Sequence, residues 1–291
     1  METAPAPHRL VLTLSCPDRP GIVHAVAGAL LGEGANITES QQYHSPDTGT
    51  FFLRVAVDSP APLERIRASL AQASDRFDLH LQVWDADRPM RTLVMCSKDG
   101  RTLNDLLFQQ RTGGLAVEIP AVVSNHTDLE PLAAFHGVPF VHVPLSSDPA
   151  AGQSKEAAEA RLRELIREHD VDLVVLARYM QILSDGLCRD LEGMAINIHH
   201  SFLPSFKGAR PYHQAHARGV KLIGATAHYV TADLDEGPII AQSVQPVTHA
   251  QTVAEFVRRG RDVEGATLVQ AVRWHAEHRV LLDGHRTVVF A

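Results

Sequence analysis

The residue pattern predicts an α/β protein in two unequal parts. A ferredoxin-like βαββαβ sandwich comes first, and a mostly parallel, Rossmann-like sheet covered by helices follows. Three observations carry this. A chain of 291 residues has room for about two domains of ordinary size. Up to residue 86 the apolar pattern runs strand, helix, strand, strand, helix, strand. Beyond residue 90 continuous apolar runs alternate with helical stretches, as in a parallel sheet buried on both faces. The polar stretch Asp85-Ala86-Asp87-Arg88-Pro89 separates the two, placing domains at 8–86 and 91–291.

In the first part a strand is expected over 9–15 and a helix over 20–32. Asp18 stands where an N-cap belongs, Pro20 suits the first turn, and Ile22, Val26 and Leu30 form a buried stripe. Gly32 and Gly34 end that helix. Strands over 36–43 and 50–57 flank the turn composition Ser45-Pro46-Asp47-Thr48-Gly49. A helix over 63–73 and a strand over 77–83 complete the unit. In the second part strands are expected within 92–96, 116–123, 140–143 and 173–176, with the clearest helix at 155–168. Ile196-Asn197-Ile198-His199 and the run 224–230 read as further strands, followed by a helix over 253–277 and a hairpin turning at Asp283-Gly284.

Composition narrows the function. Hydrophobic residues make up 45% and charged residues 21%, ordinary globular usage that excludes a disordered chain. A net charge of −7 makes nucleic acid and anionic membrane poor partners. No apolar run is long enough to span a bilayer and none resembles a secretion signal, so a cytoplasmic location is expected. Cys16, Cys96 and Cys188 are odd in number and form no CxxC pair, which points to neither a disulfide framework nor a thiolate metal site.

Histidine is abundant, with 17 residues. Asn197 and His199 lie at the expected carboxyl end of a strand, where open α/β sheets bind ligands. Two apart on an extended chain, they share a face, and His200 is expected to point the other way. A neutral donor beside a titratable one suits a developing oxyanion; a satisfied loop Asn and a core His fit the same spacing. The loop Thr231-Ala232-Asp233-Leu234-Asp235-Glu236-Gly237-Pro238 either holds a carboxylate that orients a histidine or a water, or is a solvated turn. His213 and His216 share a helix face, but no HExxH and no well-spaced carboxylate accompany them. There is no GxSxG elbow, and Ser97-Lys98-Asp99-Gly100-Arg101 replaces a dinucleotide fingerprint.

Together these segments resemble the folate-dependent formyltransferase family. Asn197-Ile198-His199-His200-Ser201-Phe202-Leu203-Pro204 resembles its Asn-x-His motif with the following Leu-Pro, and Leu234-Asp235-Glu236-Gly237-Pro238 its Leu-Asp-x-Gly-Pro loop. Phe206-Lys207-Gly208-Ala209-Arg210-Pro211-Tyr212-His213-Gln214-Ala215, the run 224–230 and Gly260-Arg261-Asp262-Val263-Glu264 resemble its hydrolytic branch, the formyltetrahydrofolate deformylases. Cys16-Pro17-Asp18-Arg19-Pro20-Gly21 resembles the first turn of the ACT module that this branch carries.

The resemblance implies Asn197, His199 and Asp235 as the catalytic set. It implies a folate slot formed by Met180, Ile182 and Leu183, with His228, Val230 and Thr231 opposite. The implied substrate is 10-formyltetrahydrofolate, hydrolysed to tetrahydrofolate and formate without metal or nicotinamide, balancing the one-carbon folate pool for purine synthesis. An amino-acid effector is implied at Asp18, Gly21 and Asn36, and the open edge of a four-stranded sheet implies a homo-oligomer. Two positions depart from the family pattern: Gln181 replaces a basic residue, and Arg101-Thr102-Leu103 replaces His-Cys-Leu. Formyl transfer to an amine is the nearest alternative, and a catalytically decayed folate sensor is another. Asp99 and a single glycine in the turn after residue 96 oppose a phosphate-bearing acceptor and favour water. The intact Asn197, His199 and Asp235 oppose decay.

Overall fold

The structure, a computed structural model, describes residues 6–145, 154–204 and 211–291. The segment Phe206 to Arg210 of the deformylase-like motif lies outside the described residues. The chain divides into two compact units, Met1–Pro89 with Glu277–Ala291, and Met90–Ala276.

The first unit contains β1 (His8–Pro17), α1 (Ile22–Gly32), β2 (Asn36–His44), β3 (Thr50–Ser59), α2 (Leu63–Ser69), α3 (Ala71–Phe77) and β4 (His80–Asp85). Its sheet has the order β2-β3-β1-β4. Period-two patterning decides what each face does. Leu10, Leu12, Leu14 and Cys16 of β1 pack with Ile22, Val26 and Leu30 of α1 and Ile66 of α2. The alternate set, with Val11, Thr13, Phe52 and Arg54, is buried as well. That second face meets the C-terminal residues of the chain. Arg54 donates to the Glu277 carbonyl oxygen at 3.0 Å, Ser45 Oγ donates to Asp283 at 2.8 Å, and the Trp84 and His278 rings stack with centroids 4.3 Å apart. Residues 277–291, which the sequence pattern groups with the second part, therefore belong to the first unit and form its hairpin, β13 (Val280–Asp283) and β14 (Arg286–Val289).

Three local expectations are corrected. Asp18 does not cap α1; the cap is Gly21 at φ 99°, with no side-chain cap bond. The chain turns sharply at that left-handed glycine. Asp18 stays outside the turn, its N–H donating to the Gly49 carbonyl at 3.0 Å and its carboxylate 3.0 Å from His44 Nδ1. The single helix expected over 63–73 is two short ones, broken at Leu70. The last strand starts at His80 rather than 77, because Phe77 still ends α3 and Asp78 takes a left-handed φ of 54° at its C-cap.

The second unit contains β5 (Met90–Cys96), α4 (Arg101–Arg111), β6 (Val117–Glu118), β7 (Val122–Ser124), α5 (Glu130–Phe135), β8 (Phe140–His142), α6 (Lys155–Glu168), β9 (Leu173–Ala177), α7 (Asp185–Asp190), β10 (Ala195–His199), α8 (Pro211–Ala217), β11 (Leu222–Tyr229), β12 (Ile239–Pro246) and α9 (Val253–Ala276). Pro120 has no N–H to give a ladder, and the run expected over 116–123 is split into β6 and β7 around it. The sheet order is β12-β11-β10-β9-β5-β7-β8, with β6 beside β5. The five strands from β10 to β8 are parallel, and β11 and β12 run antiparallel to their neighbours. Winding proceeds outward in both directions from β5, so a topological switch falls between β5 and β9 and leaves a crevice at their carboxyl ends. Among the described residues no helix is long and apolar enough to cross a membrane.

Arg54 has a side chain only 4% exposed and donates to Glu39 at 2.8 Å, while Arg279 holds the other Glu39 oxygen at 3.0 Å. Arg54→Ala is expected to leave Glu39 to Arg279 and to strip the Glu277 carbonyl of its donor. The partial exposure of Glu39 keeps the loss to about 2–3 kcal/mol, below that of a fully buried pair. Urea unfolding of the full chain checks this, and an unchanged midpoint would contradict it.

Candidate active site

The crevice contains a pocket of about 380 Å³. Its apolar wall comes from the segment after β9, namely Met180, Ile182 and Leu183, with Leu176 beneath and Val230 and Leu234 opposite. Met180, Ile182 and Leu234 are 61%, 64% and 60% exposed, so large apolar side chains stand open around the slot. Such exposure in a concave site marks the place of an apolar ligand. His228 and Thr231 line the same pocket, so all six residues expected to bind substrate are gathered there.

The polar end is built by pairing of β10 with β11. Asn197 lies directly opposite His228 in the antiparallel register, and cross-strand partners share a face. Their side chains meet at 3.3 Å, Asn197 Nδ2 to His228 Nε2. His228 Nδ1 lies 2.8 Å from the Tyr229 carbonyl oxygen, which can only accept, so that nitrogen carries the proton. Its Nε2 faces the Asn197 amide.

Asp235 reaches the two histidines from the loop after β11. Its backbone is left-handed at φ 59°. Two residues on, the chain folds back against β11, where Tyr229 N–H donates to the Pro238 carbonyl at 2.9 Å. A Cβ at Gly237 would overlap the Tyr229 carbonyl oxygen, so only glycine permits this return. Asp235 is thereby placed 3.1 Å from His199 Nδ1 and 3.7 Å from His228 Nε2. Hydrogen bonding from His199 and then from His228 holds the carboxyl well below the usual carboxylate range, against the opposing effect of burial. Asp235 is therefore ionised at neutral pH. His199 is 5% exposed; Nδ1 faces Asp235, and Nε2 is buried without a hydrogen-bond partner among the described residues.

His200 corrects the sequence reading. It lines the same pocket and stacks on His199 with centroids 5.2 Å apart and planes 18° from parallel. The alternation that would turn it away ends with β10 at His199. Burial, and then the neighbouring Arg178 and His199, press its pKa down to about 3. Arg178, also in the lining, was missed by sequence reasoning. It directly follows β9 at a left-handed φ of 63° and pairs with Glu264 at 3.2 Å. The available signal was a glutamate on the buried stripe of a long helix, where an acid needs a partner.

Other candidates fall elsewhere. His216 Nε2 lies 3.1 Å from the Gln251 carbonyl oxygen, and among the described residues no group of three or more His, Cys, Asp or Glu could hold a metal. In the first unit Gly21 precedes α1 and Asn36 opens β2, exposed, with Asp18 engaged by His44.

A crevice at a switch point with an apolar slot and a polar end is the ligand site of an open α/β sheet, and comparison with known proteins gives the family. The family model for formyl transferase matches residues 90–272, and that for the ACT domain matches 10–75. The chain is 50% identical over 284 residues to a formyltetrahydrofolate deformylase of Corynebacterium sp. (strain P-1), covering 97% of this chain and 98% of that one. A solved formyltetrahydrofolate deformylase from Pseudomonas syringae pv. tomato matches with a TM-score of 0.93 and 42% identity, over 99% of this chain and 96% of the other. A glycinamide ribonucleotide transformylase from Symbiobacterium toebii matches with a TM-score of 0.64 and 35% identity, over 73% of this chain and 97% of the other. The chain belongs to the formyl transferase family and, within it, to the formyltetrahydrofolate deformylases.

Two expected outcomes follow from the geometry. Gly237→Ala should misplace Asp235 and lower kcat at least tenfold, since small misplacements of catalytic groups cost that much or more; unchanged steady-state kinetics would contradict the close approach. The second concerns pH. A neutral His200 in the folded chain, against an ordinary value of about 6.5 when unfolded, costs nothing above pH ~6.5. As pH falls below that, the unfolded state gains a proton that the folded state refuses, so stability falls by about 1.4 kcal/mol per pH unit. His200→Gln should remove that slope, and urea unfolding of both chains at pH 7, 6 and 5 reads the difference.

Proposed function

We propose that the chain hydrolyses 10-formyltetrahydrofolate to tetrahydrofolate and formate through Asn197, His199 and Asp235. The observation that carries the reading is the Asp235 carboxylate, ionised and shared between His199 and His228 at the polar end of an apolar slot. The pterin occupies that slot against Met180, Ile182, Leu183, Val230 and Thr231, and the formyl group reaches the polar end.

Water then adds to the formyl carbon. The Asn197 amide and His199 Nε2 donate to the oxyanion that develops on the formyl oxygen, while His199 Nδ1–H stays on Asp235. A carboxylate held this far below neutrality is a weak base, so the main work of Asp235 is to orient the attacking water and stabilise the protonated imidazole. His228 keeps the Asn197 amide turned with Nδ2 toward the site. Collapse of the adduct breaks the bond from carbon to N10, which takes up a proton, and the second proton of the water leaves as formic acid ionises. All of these roles fall to the chain's own side chains. Releasing formate and free carrier balances the one-carbon folate pool that feeds purine synthesis.

The ACT unit is read as an amino-acid sensor using Asp18, Gly21 and Asn36, where charged ends of a small ligand meet a helix N-terminus. The open β2 edge of its sheet supports assembly into a homo-oligomer. Free, buried Cys16, Cys96 and Cys188 are compatible with a cytoplasmic setting.

Asp235→Asn should leave folate binding intact and lower kcat by more than tenfold, because it retains shape and removes charge. Asn197→Ala should lower kcat by roughly 10²–10³, the cost of one oxyanion donor. Formate release from 10-formyltetrahydrofolate measures both, and effects confined to KM would contradict the assigned roles. For the sensor, one of the twenty amino acids should change formate release or melting temperature, with a coupling of about 5–150-fold in affinity. If none shifts either readout, the unit is an assembly element.

A further inference from the structure

Four polar side chains at and behind the pocket's polar end, Arg178, His200, Glu264 and Tyr212, have no part in the chemistry above. Arg178 lines the pocket, has a side chain only 18% exposed, and pairs through Nη1 with Glu264 at 3.2 Å. Glu264 is 1% exposed and accepts a hydrogen bond from Tyr212 Oη at 2.6 Å. The Tyr212 ring lies 6.2 Å from His200, which in turn stacks on His199. Tyr212 reaches this position only because Gly260 sits one turn before Glu264 on α9, where a Cβ would fall inside the tyrosine ring. A buried ion pair with these partners is weak evidence for a stability device, since its desolvation offsets its attraction. Arg178 also holds a left-handed backbone uncommon for a side chain of its size. Strain of this kind beside a catalytic set is a pointer to function.

The fold by itself does not select water, because a transformylase shares it. Selection requires that the path to the formyl carbon be too narrow for a larger nucleophile. The formyl group must lie at the polar end, near Asn197, His199 and Asp235. The other side chains there are His200 and Arg178, backed by Tyr212 and Glu264. On the hydrolytic reading above, we propose that Arg178, paired with Glu264, which Tyr212 in turn holds, is a specificity-determining residue that closes the nucleophile side of the pocket to amines and leaves room for water. The site then rejects an amine by obstruction rather than by weak attraction, which is how discrimination is built against a nucleophile intrinsically stronger than water.

The alternative step is chemically complete without any further reactant. An amine nitrogen bonds to the formyl carbon, the bond from carbon to N10 breaks, and N10 takes the proton the amine loses. The test therefore supplies an amine. Wild type, Arg178→Gly and Arg178→Gly/Glu264→Gln are incubated with 10-formyltetrahydrofolate, with and without hydroxylamine or glycinamide, and formate and formylated amine are both quantified. Glycine suits the left-handed backbone at 178, and the double variant avoids leaving Glu264 as a lone buried charge.

Wild type is expected to release formate with or without amine. In at least one variant the share of formyl groups passed to amine should rise by about tenfold or more, within the range that pocket shape alone discriminates. An unchanged share in variants that still release formate would overturn the proposal. Loss of formate release in both variants without any gain of transfer would overturn it too, assigning Arg178 to hydrolysis itself. Wild type that releases no formate would instead overturn the hydrolytic reading, and this proposal with it.

Discussion

The contact between the Asp235 carboxylate and the His199 ring is the constraint around which the second unit is arranged. Its two members come from segments far apart in sequence, one at the end of a parallel strand and one on a loop that doubles back on its neighbour. Bringing them to 3.1 Å requires the β10–β11 register, the close return at Gly237 and a left-handed residue at 235. The carboxylate loses part of its solvent in this position, and hydrogen bonding from His199 and His228 more than compensates. A charge so strongly held serves electrostatics better than proton abstraction, and the mechanism inherits that bias.

Buried charge recurs in both units, with different consequences. In the first, Arg54 and Arg279 grip Glu39, and Arg54 also satisfies the Glu277 carbonyl, joining the last residues of the chain to a sheet built from its first. In the second, Arg178 and Glu264 stand at the pocket itself. The first cluster settles which unit residues 277–291 join. The second shapes what can approach the reacting carbon. Neither is needed to bury apolar surface, which the alternating and periodic side chains already achieve.

The apolar and polar halves of the pocket are made differently. Met180, Ile182 and Leu183 follow β9 without regular structure, so their exposure is set by the loop rather than by a helix or strand face. Asn197, His199 and His228 sit on paired strands, whose mutual hydrogen bonding holds their spacing.

The sequence alone determined the order of elements in the first unit, the parallel sheet of the second, and the residue types at the site. These are local properties: periods of two and 3.6, turn chemistry, and short motifs whose members are neighbours in the chain. It also brought Asn197 and His199 to one face, since alternation along an extended strand needs no partner. What it misjudged depended on where regular structure stops. His200 follows the last residue of β10 and escapes alternation, Asp18 lies before a turn that only Gly21 can make, and the closing hairpin joins the sheet formed at the other end of the chain. The Arg178–Glu264–Tyr212 cluster draws on three elements spread between residues 178 and 264. No spacing rule connects such residues; packing of α9 against the sheet does, because a buried charge is tolerable only where another element supplies its partner.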